Sequence, residues 1–328
     1  MNYNYLYPIH IPEFNIYDIF YNDDNMLVII IPPIKSPYEI YYISTDNNKT
    51  KFELYICPHK HTYVYTLNVE YTEKMKFNID NFTVDTRVNR YPVFKDEILF
   101  STMVKNEDNY IKIWIDYHLR IGIKRFIIYD NSEQNTLSEI LDEYIKKNIV
   151  VLIKWSYPQF FSVSGISGQT TQQNHSIYAF RQSKYVGLFD IDEYINIQKN
   201  DNTHHRNIND FFDELIVKEN IDISKIGSFR LLNKFFYNPN NLPTEGNNFL
   251  KIFNCDKITK GGQEKNFVLP KNINTFAVHM ITDGNPMYNI DDKLIFFNHY
   301  YFLNKSSRGR NNTNLIDDSI LFHIEEQN

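Results

Sequence analysis

Only two cysteines, Cys57 and Cys255, occur in the 328 residues, far apart and without a C-x-x-C pair. That argues against a disulfide framework or a cysteine-based zinc site and fits a reducing compartment. Long apolar runs are missing as well: the longest, residues 26–33, is far too short to span a bilayer. The start, Met1-Asn2-Tyr3-Asn4-Tyr5, has neither the basic n-region nor the apolar h-region of a signal peptide. A cytoplasmic chain with no integral membrane segment is therefore the expectation. There is no basic excess: 34 Lys and Arg stand against 40 Asp and Glu, a formal net charge of −6. A phosphate backbone is thus an unsuitable partner, and no nucleic acid is expected. Glycine loops are absent too, since neither G-x-G-x-x-G nor G-x-x-x-x-G-K-S/T appears where a dinucleotide or P-loop fold needs it. What remains is a nucleotide held by side chains and a metal.

What is present is globular. Hydrophobic residues make up 42 % and charged residues 23 %, enough for a large core and more than one domain. Up to about Val93 the pattern is all strand: Met26-Leu27-Val28-Ile29-Ile30-Ile31 stopped by Pro32-Pro33, then Tyr38 to Ile43, Phe52 to Ile56, and an alternating run from His61 to Tyr71. This spacing predicts a small antiparallel, sandwich-like all-β domain over 1–93. A second domain over 94–328 follows, in which strands and helices alternate. Strands are expected at 98–104, 125–130, 149–155 and 185–189, and helices at 107–121, 136–147 and about 172–184. Repeated β-α-β units imply right-handed crossovers and a Rossmann-like, mostly parallel sheet with helices on both faces. Ligands of such α/β sheets sit beyond the carboxyl ends of the strands.

The fourth of these strands, Tyr185-Val186-Gly187-Leu188-Phe189, runs into Asp190-Ile191-Asp192-Glu193, three carboxylates in four positions. Nothing local neutralises them, so a divalent cation fits, and hard oxygen ligands suit Mn²⁺ or Mg²⁺. A bare D-x-D is by itself just an acidic turn; its neighbours decide. Two other strand ends are polar as well, Lys105-Asn106-Glu107-Asp108 and Asp130-Asn131-Ser132.

Set together, these stretches, with Trp114-Ile115-Asp116-Tyr117-His118, Lys265 to Pro270, Val278-His279 and Phe297-Asn298-His299-Tyr300, resemble glycosyltransferase family 92 and the family-2-like glycosyltransferases. The resemblance covers about residues 95–305 and implies a GT-A fold. It implies transfer of a sugar from a nucleotide diphosphate donor, a UDP-sugar with galactose as the first choice, to a hydroxyl of a glycan or glycoprotein, with inversion. The implied metal set is Asp190, Asp192 and His299, with His279 as the alternative to His299. Asp192 ligates directly, Asp190 meets the ribose or a metal-bound water, and Glu193 orients ligands from behind. Lys105, Asn106, Glu107 and Asp130 match motifs that meet the nucleotide, Arg181 lies in a segment bordering the donor, and Lys305 faces the diphosphate. Inversion needs a carboxylate base for the acceptor hydroxyl, one of Glu264, Asp256 or Glu245. Two other readings stand beside this one: a catalytically silent glycan- or nucleotide-binding relative, and an adaptor acting through the N-terminal β domain.

Overall fold

The computed structural model describes residues 5–22, 25–57, 62–134, 136–158, 167–198, 206–258, 263–304 and 315–324. The apolar run Met26–Ile31 pairs antiparallel with Asp18–Tyr21 on one side and Tyr63–Asn68 on the other. Glu53–Ile56 and Asn89–Arg90 complete this five-stranded sheet. A second sheet, in the order Lys49–Lys51, Ile40–Ile43, Lys74–Ile79, Phe82–Arg87, covers one of its faces. Leu27, Ile29, Ile31, Tyr63 and Tyr65 interlock there with Ile40, Phe77 and Ile79. The other face of the same strands, Phe20, Val28, Ile30 and Val64, joins a different core with Ile177, Ile153 and Val186. The five-stranded sheet is thus a middle layer, apolar on both sides, and its central strand reads as an unbroken run rather than an alternation.

Among the described residues the largest sheet has eight strands. Ile98–Val104, Arg125–Asp130, Val150–Lys154 and Tyr185–Leu188 are parallel and stand in the spatial order third, second, first, fourth. Tyr5–Leu6 extends the outer edge, parallel to Val150–Lys154. Beyond Tyr185–Leu188 come Lys265–Val268 and Ser228–Leu231, both paired antiparallel, and then Met287–Asn289, parallel to its neighbour. The sheet is mixed α/β, parallel for most of its pairs.

Helices cover both faces. Ile111–Arg120 buries Ile111, Trp114, Ile115 and Tyr117 on one face beside Ile208–Lys218. It begins four residues later than its apolar spacing suggests, because Asn106 adopts φ 59° and the Glu107 carbonyl accepts from Tyr110 and Ile111 in a turn. The helix expected at 136–147 is two pieces, Thr136–Ile140 and Asp142–Lys146. The helix Ser167–Ala179 on the opposite face starts five residues before the expected position. Its residues 170–176 are polar yet buried, and several of them are tied to distant parts of the chain. Gln172 donates to the Ser101 hydroxyl, Asn174 exchanges bonds with the Phe276 backbone, and His175 lies 3.0 Å from Asp18. No helix among the described residues is long and apolar enough to cross a membrane.

Gly187 sets the spacing at the centre of the large sheet. A Cβ there would meet the Phe100 ring at 2.5 Å, and Phe100 is wedged against Trp114, Phe189 and Phe267. Gly187→Ala is expected to cost about 1–3 kcal/mol by overpacking, read as a lower urea midpoint with an unchanged m-value. An unchanged midpoint would mean that Phe100 moves aside freely.

Candidate active site

The first and fourth strands of the parallel set are neighbours, and their connections leave in opposite directions. Such a reversal opens a crevice beyond the carboxyl ends. The four residues 189–192 turn the chain there, and Glu193–Ile197 then runs antiparallel to Ile295–His299. In that register Glu193 faces His299 directly. The helix Ile111–Arg120 holds this small sheet in place: Trp114 Nε1 donates to the Glu193 carbonyl and the Tyr117 hydroxyl to the Ile195 carbonyl.

Asp192, Glu193 and His299, all buried, bring one ligand atom each to within 4.8 Å of one another. His299 Nε2 lies 3.2 Å from Asp192 Oδ2, while its Nδ1 is 3.6 Å from Glu193 Oε1, too far for a hydrogen bond. That Nδ1 and that Oε1 are both buried without a hydrogen-bond partner. Two orphaned lone-pair donors facing one another beside a third fit a divalent cation, and carboxylate oxygens with an imidazole suit Mn²⁺.

Lys265, at the start of the neighbouring antiparallel strand, reaches into the same group. Its Nζ lies 2.5 Å from Asp190 Oδ2 and 3.2 Å from Glu193 Oε2. Burial draws the Lys265 ammonium down, but the two carboxylates outweigh it and leave the pKa above its ordinary value. Desolvation raises the Asp190 carboxyl, and Lys265 more than reverses that, holding it below the usual carboxylate range. Burial pushes Glu193 up to about 7 despite Lys265. For His299, burial lowers and the charges of Asp192 and Glu193 raise, with a net rise.

A cavity of about 500 Å³ opens over these groups, lined by Met103, Lys105, Asn106, Glu107, Asn131, Gln169, Asp190, Asp192, His299 and Tyr301. Seven sequence-selected residues therefore come together: Lys105, Asn106, Glu107, Asp190, Asp192 and His299 on the cavity wall, and Glu193 behind them. Asp130 does not line it; its carboxylate is buried on Lys154 Nζ and the Ser132 N–H, and its neighbour Asn131 reaches the wall instead. Arg181 lies beyond the far end of the helix Ser167–Ala179, about 15 Å of helix axis from Gln169, with its guanidinium over the Tyr178 ring. His279 sits at a hairpin tip behind Val278 (φ 39°), and its Nδ1 bonds to the Glu264 carbonyl. Among the base candidates, Glu264 is buried on Arg230 at 2.6 Å, Glu245 is exposed, and Asp256 is half-buried with its N–H on the Phe235 carbonyl. Lys305 lies outside the described residues.

Gln169 and Tyr301 on the wall, and Lys265 beside the acids, were not singled out in the sequence. Gln169, whose Nε2 is 3.3 Å from Asp190 Oδ1, lies in the amide-rich segment expected to border the donor. Tyr301 follows His299 and stands edge-on to its ring. Lys265 was visible within a motif, but a lysine at a strand start gives no local sign of the acids it pairs with.

Glu107 supplies a pH test. Burial, then the charges of Asp192 and Asp108, push its carboxyl up to about 7. A carboxyl raised in the fold binds more protons folded than unfolded between about 4.5 and 7, so its contribution to stability falls as pH rises through that window. Relative to the wild type, Glu107→Gln should gain stability steadily between those pH values, measured by urea unfolding. A difference independent of pH would contradict the shift.

The family model for glycosyltransferase family 92 matches residues 100–327. A family 92 protein of Ricinus communis is 23 % identical over 214 residues, covering 63 % of this chain and 35 % of that protein. One of Oryza sativa subsp. japonica is 24 % identical over 207 residues, covering 61 % of this chain and 32 % of its own length. One of Arabidopsis thaliana is 28 % identical over 102 residues, 30 % of this chain and 16 % of its own. The chain thus spans about a third of the length of the first curated relatives it matches. With the match running from the strand Ile98–Val104 to residue 327, over more than half of the chain, the chain belongs to glycosyltransferase family 92.

Proposed function

We propose that the chain is a metal-dependent glycosyltransferase that moves a sugar from a UDP-sugar, galactose first among them, to a glycan hydroxyl with inversion. The observation that carries this reading is the buried Asp192–Glu193–His299 group on the floor of a polar cavity at a strand-order reversal. Family membership supports the transfer reaction, and the third-second-first-fourth strand order supports a GT-A domain over 94–328 behind a strand-rich unit over 1–93.

Asp192, Glu193 and His299 would hold Mn²⁺, which supplies positive charge for the departing diphosphate. The chain's own residues do the rest. Lys265 neutralises Asp190 and Glu193, so the floor of the cavity carries less negative charge toward phosphate. Asp190, on the wall and steadied by Gln169, accepts a hydrogen bond from the ribose or a bound water. Lys105, Asn106 and Asn131 contact base and ribose at the ends of the first two strands. The base is one of Glu264, Asp256 and Glu245; Glu264 is paired with Arg230, and the Asp256 N–H donates to the carbonyl of Phe235, the register partner of His299.

Lys265 also favours a second reading, a silent relative in which the ammonium alone neutralises the acids and a nucleotide binds without metal. The deciding assay is UDP release from UDP-galactose and other nucleotide-sugars, with Mn²⁺ and with chelator. Metal-dependent release supports the transferase. Nucleotide binding that ignores the chelator, with no release from any donor, would select the silent relative.

A further inference from the structure

A second cavity, larger than the one at the acids, measures about 770 Å³ and lies beyond the carboxyl ends of Ser228–Leu231 and Met287–Asn289. These strands belong to the large sheet, and Lys265–Val268 starts at the same edge. The two cavities therefore open side by side along one edge, where α/β sheets hold their ligands. Consecutive residues divide them: Lys265 points to Asp190 and Glu193, and Glu264 to Arg230. From Leu294 on the second cavity to His299 on the first is about 17 Å of extended chain.

We propose that this second cavity binds an uncharged sugar unit of the glycan acceptor, away from the reacting hydroxyl; this rests on the transferase reading. Its charge excludes the donor. Glu219, Glu264, Asp291 and Asp292 stand against a single guanidinium, Arg230, so a nucleotide diphosphate is repelled. Carboxylates and an arginine are the acceptors and donors that sugar hydroxyls need, and Glu264 is fixed in place, buried on Arg230. Tyr288, held edge-on against Phe229, adds an apolar ring face beside leucine and isoleucine side chains, as a pyranose C–H face requires. The volume suits such a ligand.

Saturation-transfer NMR on the full chain, with the methyl glycosides of glucose, galactose, mannose and N-acetylglucosamine, tests this. At least one should receive saturation from the wild type and equally from Asp192→Ala. Tyr288→Ala and Asp292→Ala, both at partly exposed positions, should weaken it about tenfold. If Tyr288→Ala fails to fold, Asp292→Ala alone decides. Arg230 is left intact, because its loss would strand the buried Glu264. The proposal is overturned if no glycoside receives saturation from the wild type, or if Asp192→Ala abolishes the signal while the two cavity variants keep it. Sugar binding in a chain that binds no nucleotide would sink the transferase and the acceptor role together, leaving a glycan-binding cavity.

Discussion

Asp192→Ala should lower donor turnover on the order of 10²–10³-fold, the scale of losing one preorganised electrostatic contact to developing charge. Asp192 lines the cavity, is buried, and sits 3.2 Å from His299. Its removal leaves His299 Nε2 without that carboxylate and opens the three-residue group. Because the side chain is small and at a turn, the fold should survive. The expected signature is a fall in kcat with a melting temperature near that of the wild type. Unchanged turnover in steady-state assays would remove Asp192 from the mechanism, and Glu193 and His299 with it.

Lys265→Met should be the most destabilising single change at the site, costing about 3–5 kcal/mol, because it strands the buried Glu193 carboxylate and leaves the partly exposed Asp190 without its cation. The Lys265 side chain is 3 % exposed and that of Glu193 1 %. Adding Asp190→Asn to Lys265→Met should recover part of the loss, since one uncompensated charge is then gone. Urea unfolding of the wild type, the single variant and the double variant measures both effects. A single variant within about 0.5 kcal/mol of the wild type would place it among ordinary surface substitutions.

Where burial is apolar, the sequence was legible. Ile98–Val104 and Arg125–Asp130 occupy the positions that their apolar runs predict, and the acids follow the expected strand. Where burial is polar it was not. Ser167–Ala179 carries no apolar stripe, so its start was missed; its specificity lies in Ser101, Asp18 and Phe276, each distant in sequence. The division of labour among the acids was also hidden. Glu193 opens a strand whose register sets it opposite His299, while Asp190 turns toward Lys265, and neither partner is near in sequence. Arg181 shows the converse: close to the acids along the chain, it is separated from them by the length of a helix. Glu264 and Lys265 differ by one position and serve different cavities, as alternate side chains at a sheet edge do.

The central claim is that the Asp192–Glu193–His299 group holds a metal ion for a nucleotide-sugar. Thermal unfolding of the wild type with UDP tests it most directly, in Mn²⁺ and in chelator. At a UDP concentration of about 100 Kd, stabilisation of about 2.7 kcal/mol is expected in Mn²⁺, and none in chelator or in Asp192→Ala. Equal stabilisation with and without metal, or none under any condition, would contradict the claim.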